Sequence, residues 1–345
     1  MVKAILTFVK RVVGVLVGLV LVVLAAVAVL LFTPILDPRL GAQPNPLRFY
    51  EDAVAAIDKV EASEAQLPLI KNGGSYALLT GKRTDKALVI FHGYTNTPYE
   101  FRLVAKAYRD QGYNVWVPRL PHHGLADKMT TDFSNLTVEE LRAFADASID
   151  IGAGLGREVT VMGLSGGGSL SMWSGLERRE VKRMILISPL LHPGGYPEWV
   201  IQPMVRFWRL WPSDSYSWWD PDLGAANTAG MVYPRYSMKG IAALLGLRFW
   251  GDYRLGQGSY PVPGSILLIR NDNDTSIDHD FNERFVRRLV PPDRVSIYQV
   301  PVSAGLEHDI VCPDPEFAGD KQVVEAYRQL EQALGIPMPD PLAAR

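Results

Sequence analysis

The chain has 345 residues, 48% of them hydrophobic and 21% charged, with a net charge of −2. This balance describes a globular protein long enough to bury a sizeable core, and the absence of a long basic block argues against a nucleic-acid partner. One cysteine, Cys312, excludes an intramolecular disulfide, and no Cys/His cluster has zinc spacing, so neither metal nor cofactor is expected.

The N-terminus differs in kind from the rest. Val12 to Phe32 runs 21 residues without a charge, about 30 Å as a helix, which is the hydrocarbon thickness of a bilayer. An unbroken apolar run suits a buried core helix poorly. Lys3, Lys10 and Arg11 precede it, whereas only Arg39 follows closely, offset by Asp37. The positive-inside rule then predicts a cytoplasmic N-terminus and an extracytoplasmic body. The stretch Ala26 to Ala28 resembles a cleavage site, but four more apolar residues follow, which favours a retained signal anchor over a cleaved signal peptide.

A spacer carrying Pro34, Pro38, Pro44 and Pro46 comes next, then a weakly amphipathic stretch from Phe49 to Ala65 that can pack on the body. From Ser75 the pattern alternates. Seven short runs read as strands: "SYALLT", "ALVIF", "NVWVP", "VTVMG", "RMILIS", "SILLIR" and "RVSIYQV". Amphipathic stretches predict helices over Glu100–Gln111, Thr137–Gly156, Ser165–Arg179, Asp280–Leu289 and Lys321–Leu334. Strands apolar throughout imply a mainly parallel α/β sheet covered on both faces. The expected division is an anchor over 1–33, a spacer and helix over 34–65, a core over 66–192, an insertion over 193–263 and the rest of the core over 264–345.

Between "VTVMG" and the next helix, Gly163-Leu164-Ser165-Gly166-Gly167 fits G-x-S-x-G. In a nucleophile elbow the serine sits on a strained strand-to-helix turn, and small neighbours let backbones approach. The helix N-terminus beside it can stabilise an oxyanion. A glycine-rich turn is the bland alternative, so context decides. His92-Gly93 ends an earlier strand, and the loop after it supplies the second N–H; the expected donors are Tyr94 and Gly166. His92 itself precedes the loop glycine and reads as structural. After "SILLIR" come Asp272, Asp274 and Asp278. A carboxylate just past a strand can orient a histidine, and Asp274, three residues beyond Asn271, is preferred among them. His308 follows the last strand and completes the order Ser165, Asp274, His308. His279 also lies beyond the acid but too near it in sequence.

These motifs, "FHGYTNTP" at 91–98, "VPRLPHHG" at 117–124, "GLSGG" at 163–167, Asp274 and His308, resemble the α/β-hydrolase superfamily, and within it the carboxylesterase and monoacylglycerol-lipase-like group, often labelled serine aminopeptidase S33-like. The resemblance covers roughly residues 66–336. It departs at Asn96 and Asn271, where such loops often carry glycine; asparagine tolerates left-handed backbone. His122 also stands where the pattern has glycine. The resemblance implies an inserted cap between "RMILIS" and "SILLIR". Six of the eight tryptophans fall there (Trp199, Trp208, Trp211, Trp218, Trp219 and Trp250), either as the cap's own core, or lining an acyl pocket, or touching the bilayer. A helix over 241–250 is expected in it. A sequon at Asn273 would put a glycan against the proposed acid.

The function implied is a membrane-anchored serine hydrolase of lipid or small acyl esters, with the membrane partner engaged through residues 12–32. Amide hydrolysis and an inactive hydrolase-fold binding protein are the alternatives.

Overall fold

In the computed structural model, which describes residues 2–33, 38–219, 221–222, 224, 232–258, 260–313 and 319–343, the seven predicted runs form one sheet. The strands are β1 (Tyr76–Leu78), β2 (Thr84–Phe91), β3 (Asn114–Val117), β4 (Gly156–Leu164), β5 (Val181–Ile187), β8 (Ser265–Asn271) and β9 (Val295–Val300). A separate ribbon pairs β6 (Tyr216–Trp218) with β7 (Arg235–Ser237). The sheet order is β1-β3-β2-β4-β5-β8-β9, and only the β1–β3 pair is antiparallel.

Alternation explains how the sheet is covered. Side chains of one strand point to opposite faces in turn. Ala87, Val89 and Phe91 of β2 join one core with Val161, Met184 and Leu268, while Leu88 and Ile90 join another with Met162, Ile185 and Ile269. The first core is closed by α2 (Tyr50–Glu64), α4 (Val138–Leu155), α5 (Gly166–Glu177), α7 (Met238–Gln257) and α8 (His279–Val286), the second by α3 (Arg102–Asp110) and α9 (Asp320–Leu334). Thr137, the first residue of the predicted stretch, is the N-cap of α4, where it forms a reciprocal capping box with Glu140.

The excursion between β5 and β8 holds α6 (Glu198–Leu210), the ribbon and α7. Helix α7 contains the expected stretch 241–250, but Ala242 to Leu245 are buried in the first core against α4 and α5. It thus belongs to the helical layer of the sheet rather than lying over it.

Helix α1 (Val2–Phe32) is longer than the uncharged run. Within its Ile5–Phe32 segment, the most apolar 18-residue window has a mean hydropathy of 3.3 and none of it is buried inside the protein. It is a candidate membrane span. Two residues of the expected spacer argument, Pro34 and Asp37, lie outside the described residues.

The chain beyond Pro38 is not a free spacer. Backbone N–H groups of Ala42, Gln43 and Asn45 donate to the carboxylates of Glu177, Asp146 and Asp150 at 3.0, 2.9 and 3.0 Å. Trp173 Nε1 donates to the Leu40 carbonyl at 2.9 Å. Prolines lack an N–H, so the residues between them carry the attachment. Two of these acids, Asp146 and Asp150, are in turn held by Arg178, whose side chain is fully buried and contacts Asp146, Asp150 and Glu180 at 3.0, 2.5 and 3.2 Å.

Removing the cation from such a buried group leaves carboxylates without compensation, at about 3–5 kcal/mol. Arg178→Ala should therefore lower unfolding stability by that order in urea titrations of the detergent-solubilised protein. A loss under about 1 kcal/mol would mean the network contributes no more than a surface pair.

Candidate active site

Ser165 is the hinge between β4 and α5, with φ 54° and ψ −115°. Such a conformation costs a non-glycine residue on the order of 1–3 kcal/mol. Its neighbours explain why the turn is forced. A Cβ on Gly163 would run into the Gly167 carbonyl, and one on Gly167 into the carbonyls of Phe91 and His92. Strand, helix and the end of β2 are therefore in backbone contact. Ser165 N–H donates to the Ile187 carbonyl at 3.0 Å, and its own carbonyl accepts from Leu190 at 2.8 Å. The turn is locked on both sides. Thr95 and Ser188 also have positive φ, 72° and 38°, so strained residues gather at the C-terminal ends of β2, β4 and β5.

The loop after β2 reaches the same place. A Cβ on Gly166 would meet the Tyr94 Cβ at 3.2 Å, so the two expected donors are neighbours. Gly166 is the first residue of α5, and its N–H has no intrahelical acceptor. Gly93 N–H donates to Glu100 Oε1 at 2.5 Å, which holds the loop from below. Burial, then the charge of Asp309, raises the Glu100 pKa well above the carboxylate range. Sequence reasoning missed Glu100; a carboxylate seven residues beyond a loop glycine carries no local signal.

The three candidate acids part company. Asp272 pairs with Arg270 Nε at 2.8 Å, and Asp278 caps α8 by accepting from Phe281 N at 2.8 Å. Asp274 Oδ2 meets His308 Nδ1 at 2.6 Å, and Asp274 Oδ1 accepts from Ser276 N at 2.8 Å. Burial works against the Asp274 charge, but its hydrogen-bonding neighbours outweigh burial and hold the pKa below the usual carboxylate range. For His308, burial opposes the imidazolium, yet the bond and charge of Asp274 raise its pKa above the ordinary histidine value.

His279, set aside as too near the acid, puts Nε2 3.3 Å from the same Asp274 oxygen. That approach does not meet hydrogen-bond geometry, so His279 packs against the carboxylate without bonding to it. Adjacent sequence positions hid it: the turn after Asp274 folds the start of α8 back onto the acid.

The two asparagines at expected glycine positions are not left-handed. Positive φ falls on Thr95 instead of Asn96, and Asn271 ends β8 in extended backbone. Both work through side chains. Asn271 Nδ2 donates to the Leu306 and Glu307 carbonyls at 2.9 and 2.7 Å, joining acid loop to histidine loop. Asn96 Nδ2 donates to Asp309 at 3.3 Å. His122 does adopt φ 67° and turns to Asp132 at 2.9 Å, away from the cleft. His92 is fully buried and accepts from Leu120 N at 2.9 Å, a structural role as expected.

A cleft of about 350 Å³ is lined by Gly93, Tyr94, Ser165, Asp274 and His308, with Leu164, Leu306, Val323 and Ala326 giving it apolar walls. Of the six tryptophans in the excursion, Trp219 lines it and donates Nε1–H to Thr95 Oγ1 at 2.8 Å. Trp250 is buried, while Trp199 and Trp211 are exposed. Asn273 is also in the lining. Among the described residues, no three His, Cys, Asp or Glu side chains are grouped to hold a metal ion.

Residues 88–316 match the profile of the Alpha/beta hydrolase family. Over 92 residues the chain is 35% identical to a thermostable monoacylglycerol lipase of Bacillus sp. (strain H-257), covering 25% of this chain and 33% of that protein. Similar solved structures include one from work on LipS and LipT, two metagenome-derived lipolytic enzymes (TM-score 0.55, 16% identity, 77% of this chain and 99% of that one). A soluble variant of monoglyceride lipase from Saccharomyces cerevisiae gives a TM-score of 0.54 at 15% identity, covering 76% and 91%. A Paleococcus ferrophilus monoacylglycerol lipase gives 0.50 at 17%, covering 74% and 98%. At these identities the structural likeness concerns the fold alone. A profile match across most of the chain, on a mostly parallel sheet with Ser165 at a strand-to-helix turn, identifies the chain as a member of the alpha/beta hydrolase family.

Proposed function

We propose that this protein is a membrane-anchored serine hydrolase of carboxylic esters, acting on lipid or small acyl esters. The observation that carries the reading is the shared cleft of Ser165 and His308, with His308 bonded to Asp274 at 2.6 Å. In the mechanism, Ser165 Oγ attacks the ester carbonyl while His308 Nε2 takes its proton. Asp274 accepts from Nδ1–H, fixing the tautomer and stabilising the imidazolium. The N–H groups of Tyr94 and Gly166 bind the developing oxyanion. His308 passes its proton to the departing alcohol, and water then resolves the acyl-enzyme with the same base. Helix α1 is the anchor, its N-terminus cytoplasmic and the body outside, because the basic residues precede the span. The excursion over 193–263 contributes a partial cap through Trp219 and Val232, which line the cleft.

An amide-hydrolase reading has one observation of its own. Glu100 and Asp309 reach the cleft, where carboxylates can bind a substrate amine. Burial raises both pKa values, and the charge of Asp309 adds to the rise at Glu100. The raised values weaken the charge an ammonium requires, and Glu100 Oε1 already accepts from Gly93. Apolar walls and weakened acids together favour an ester.

Ser165→Ala should abolish fluorophosphonate labelling and lower ester turnover on the order of a millionfold; labelling at the wild-type rate would sink the mechanism. In a p-nitrophenyl ester series, kcat/KM should rise from acetyl to medium acyl chains, since each buried methylene contributes about 0.8 kcal/mol. The rise should level off with longer chains, because a cleft of about 350 Å³ is at the small end of ligand pockets. Preference for aminoacyl amides over these esters would overturn the substrate class.

The pH profile tests the base. His308 acts only when neutral, so kcat/KM should fall as pH drops through a pKa above about 6.5, the ordinary histidine value. Asp274→Asn removes what raises that pKa. The acidic limb should then move to lower pH and turnover should drop by about 10⁴. A limb that stays in place would assign it to another group.

A further inference from the structure

We propose that the outer face of α6 is a bilayer-contact surface, lying in the lipid interface beside the point where α1 leaves the membrane. Trp199, Pro203, Phe207, Leu210 and Trp211 follow helical spacing along and just beyond α6. Trp199 is 69% exposed, Leu210 61% and Trp211 49%. Phe207 and Trp211 stack on each other with ring centroids 5.0 Å apart. The opposite stripe, Ile201 and Val205, is fully buried in the core. One helix therefore carries two apolar faces, and packing within this chain accounts for one.

The position of α6 says what covers the other. The end of α1 packs against α6, and Gln202 Nε2 donates to the Thr33 carbonyl at 2.8 Å. Most of the large apolar side chains of α1 are exposed, so its surface adjoins the α6 stripe where the two helices meet. Tryptophan suits this level because its ring is apolar and its N–H can remain hydrated. An amphipathic helix in the interface plane inserts its apolar face about 5–10 Å. A second copy fits less well. A stripe of five side chains offers a few hundred Å², below the roughly 800 Å² per partner of a stable protein interface. This inference rests on α1 spanning the membrane and adds a second, independent contact to it.

The test uses the full chain reconstituted in phosphatidylcholine vesicles whose acyl chains are brominated at positions 6 and 7. No tryptophan lies in α1, so bromine quenching of tryptophan emission reports on the body alone. Quenching is expected in the unaltered chain, and the Trp199→Phe/Trp211→Phe double variant should lose at least half of it. Leu210→Glu should weaken quenching with hydrolysis of a soluble acetyl ester unchanged. Alkaline carbonate extraction separates the two readings. Retention of the chain with no quenching, or equal quenching in the double variant, overturns the α6 surface and leaves the anchor standing. Release of the chain overturns the anchor and this inference with it. An unquenched chain forming a detergent-soluble dimer that Leu210→Glu dissociates would reassign the stripe to self-association and overturn the lipid contact.

Discussion

The contact at which the backbones of β2, β4 and α5 meet is the constraint on which the candidate site depends. Gly163 and Gly167 touch neighbouring carbonyls where any side chain would collide. Seated that close, α5 can follow β4 only through a turn with Ser165 at φ 54°. The strain is of the order of 1–3 kcal/mol, small beside the burial of a helix whose residues from Gly166 to Leu176 are all buried. The packing of α5 thus holds the serine in place, and the same proximity brings the first N–H of α5 beside Tyr94.

The other two side chains come from loops that brace each other. Asn271 ties the turn after β8 to the chain around Leu306, which sets the separation of Asp274 and His308. The segment after β5 clamps the acid loop from the other side. Asp278 N–H donates to the His192 carbonyl and Gly194 N–H to the Ser276 carbonyl, at 2.9 and 2.8 Å. Asn282 Nδ2 donates to the Pro189 carbonyl at 2.6 Å. Each loop end is a backbone polar group that burial would otherwise leave unpaired. Satisfying those groups and aligning acid with histidine are one arrangement.

Much of this was legible in the sequence. The seven strands could be read because both faces of the sheet are covered, so several of the runs are apolar throughout, and glycines and polar residues bound them. The order of serine, acid and histidine was legible because each follows a strand end. The choice of Asp274 followed from turn geometry, and the structure gives its rivals other partners. What could not be read depends on contacts distant in sequence. Helix α6 contains Pro203 and two apolar faces, which blur its periodicity. The ribbon strands have three residues each, too few for alternation to register. Asn96 and Asn271 were expected to use backbone freedom, whereas they act through side chains whose partners lie beyond residue 300. The stretch 241–250 read correctly as a helix, but its place in the layer is set by α4 and α5.

The attachment of the N-terminal segment bears on how the body meets a membrane. Eight residues of free coil would let the body wander by roughly 16 Å. Here the chain from Leu40 to Asn45 is tied to Trp173, Glu177, Asp146 and Asp150. Two of those residues lie near the C-terminal end of α5, the helix whose N-terminal end adjoins Ser165. The tether therefore grips the element that carries the serine, and the buried Arg178 keeps two of the gripping acids, Asp146 and Asp150, in position. With Gln202 holding Thr33 as well, the described part of the chain is fixed to the body on both sides of residues 34–37. If α1 spans a bilayer as proposed, the cleft has little freedom to turn relative to it, and the direction from which a proposed lipid ester would enter is set by the fold.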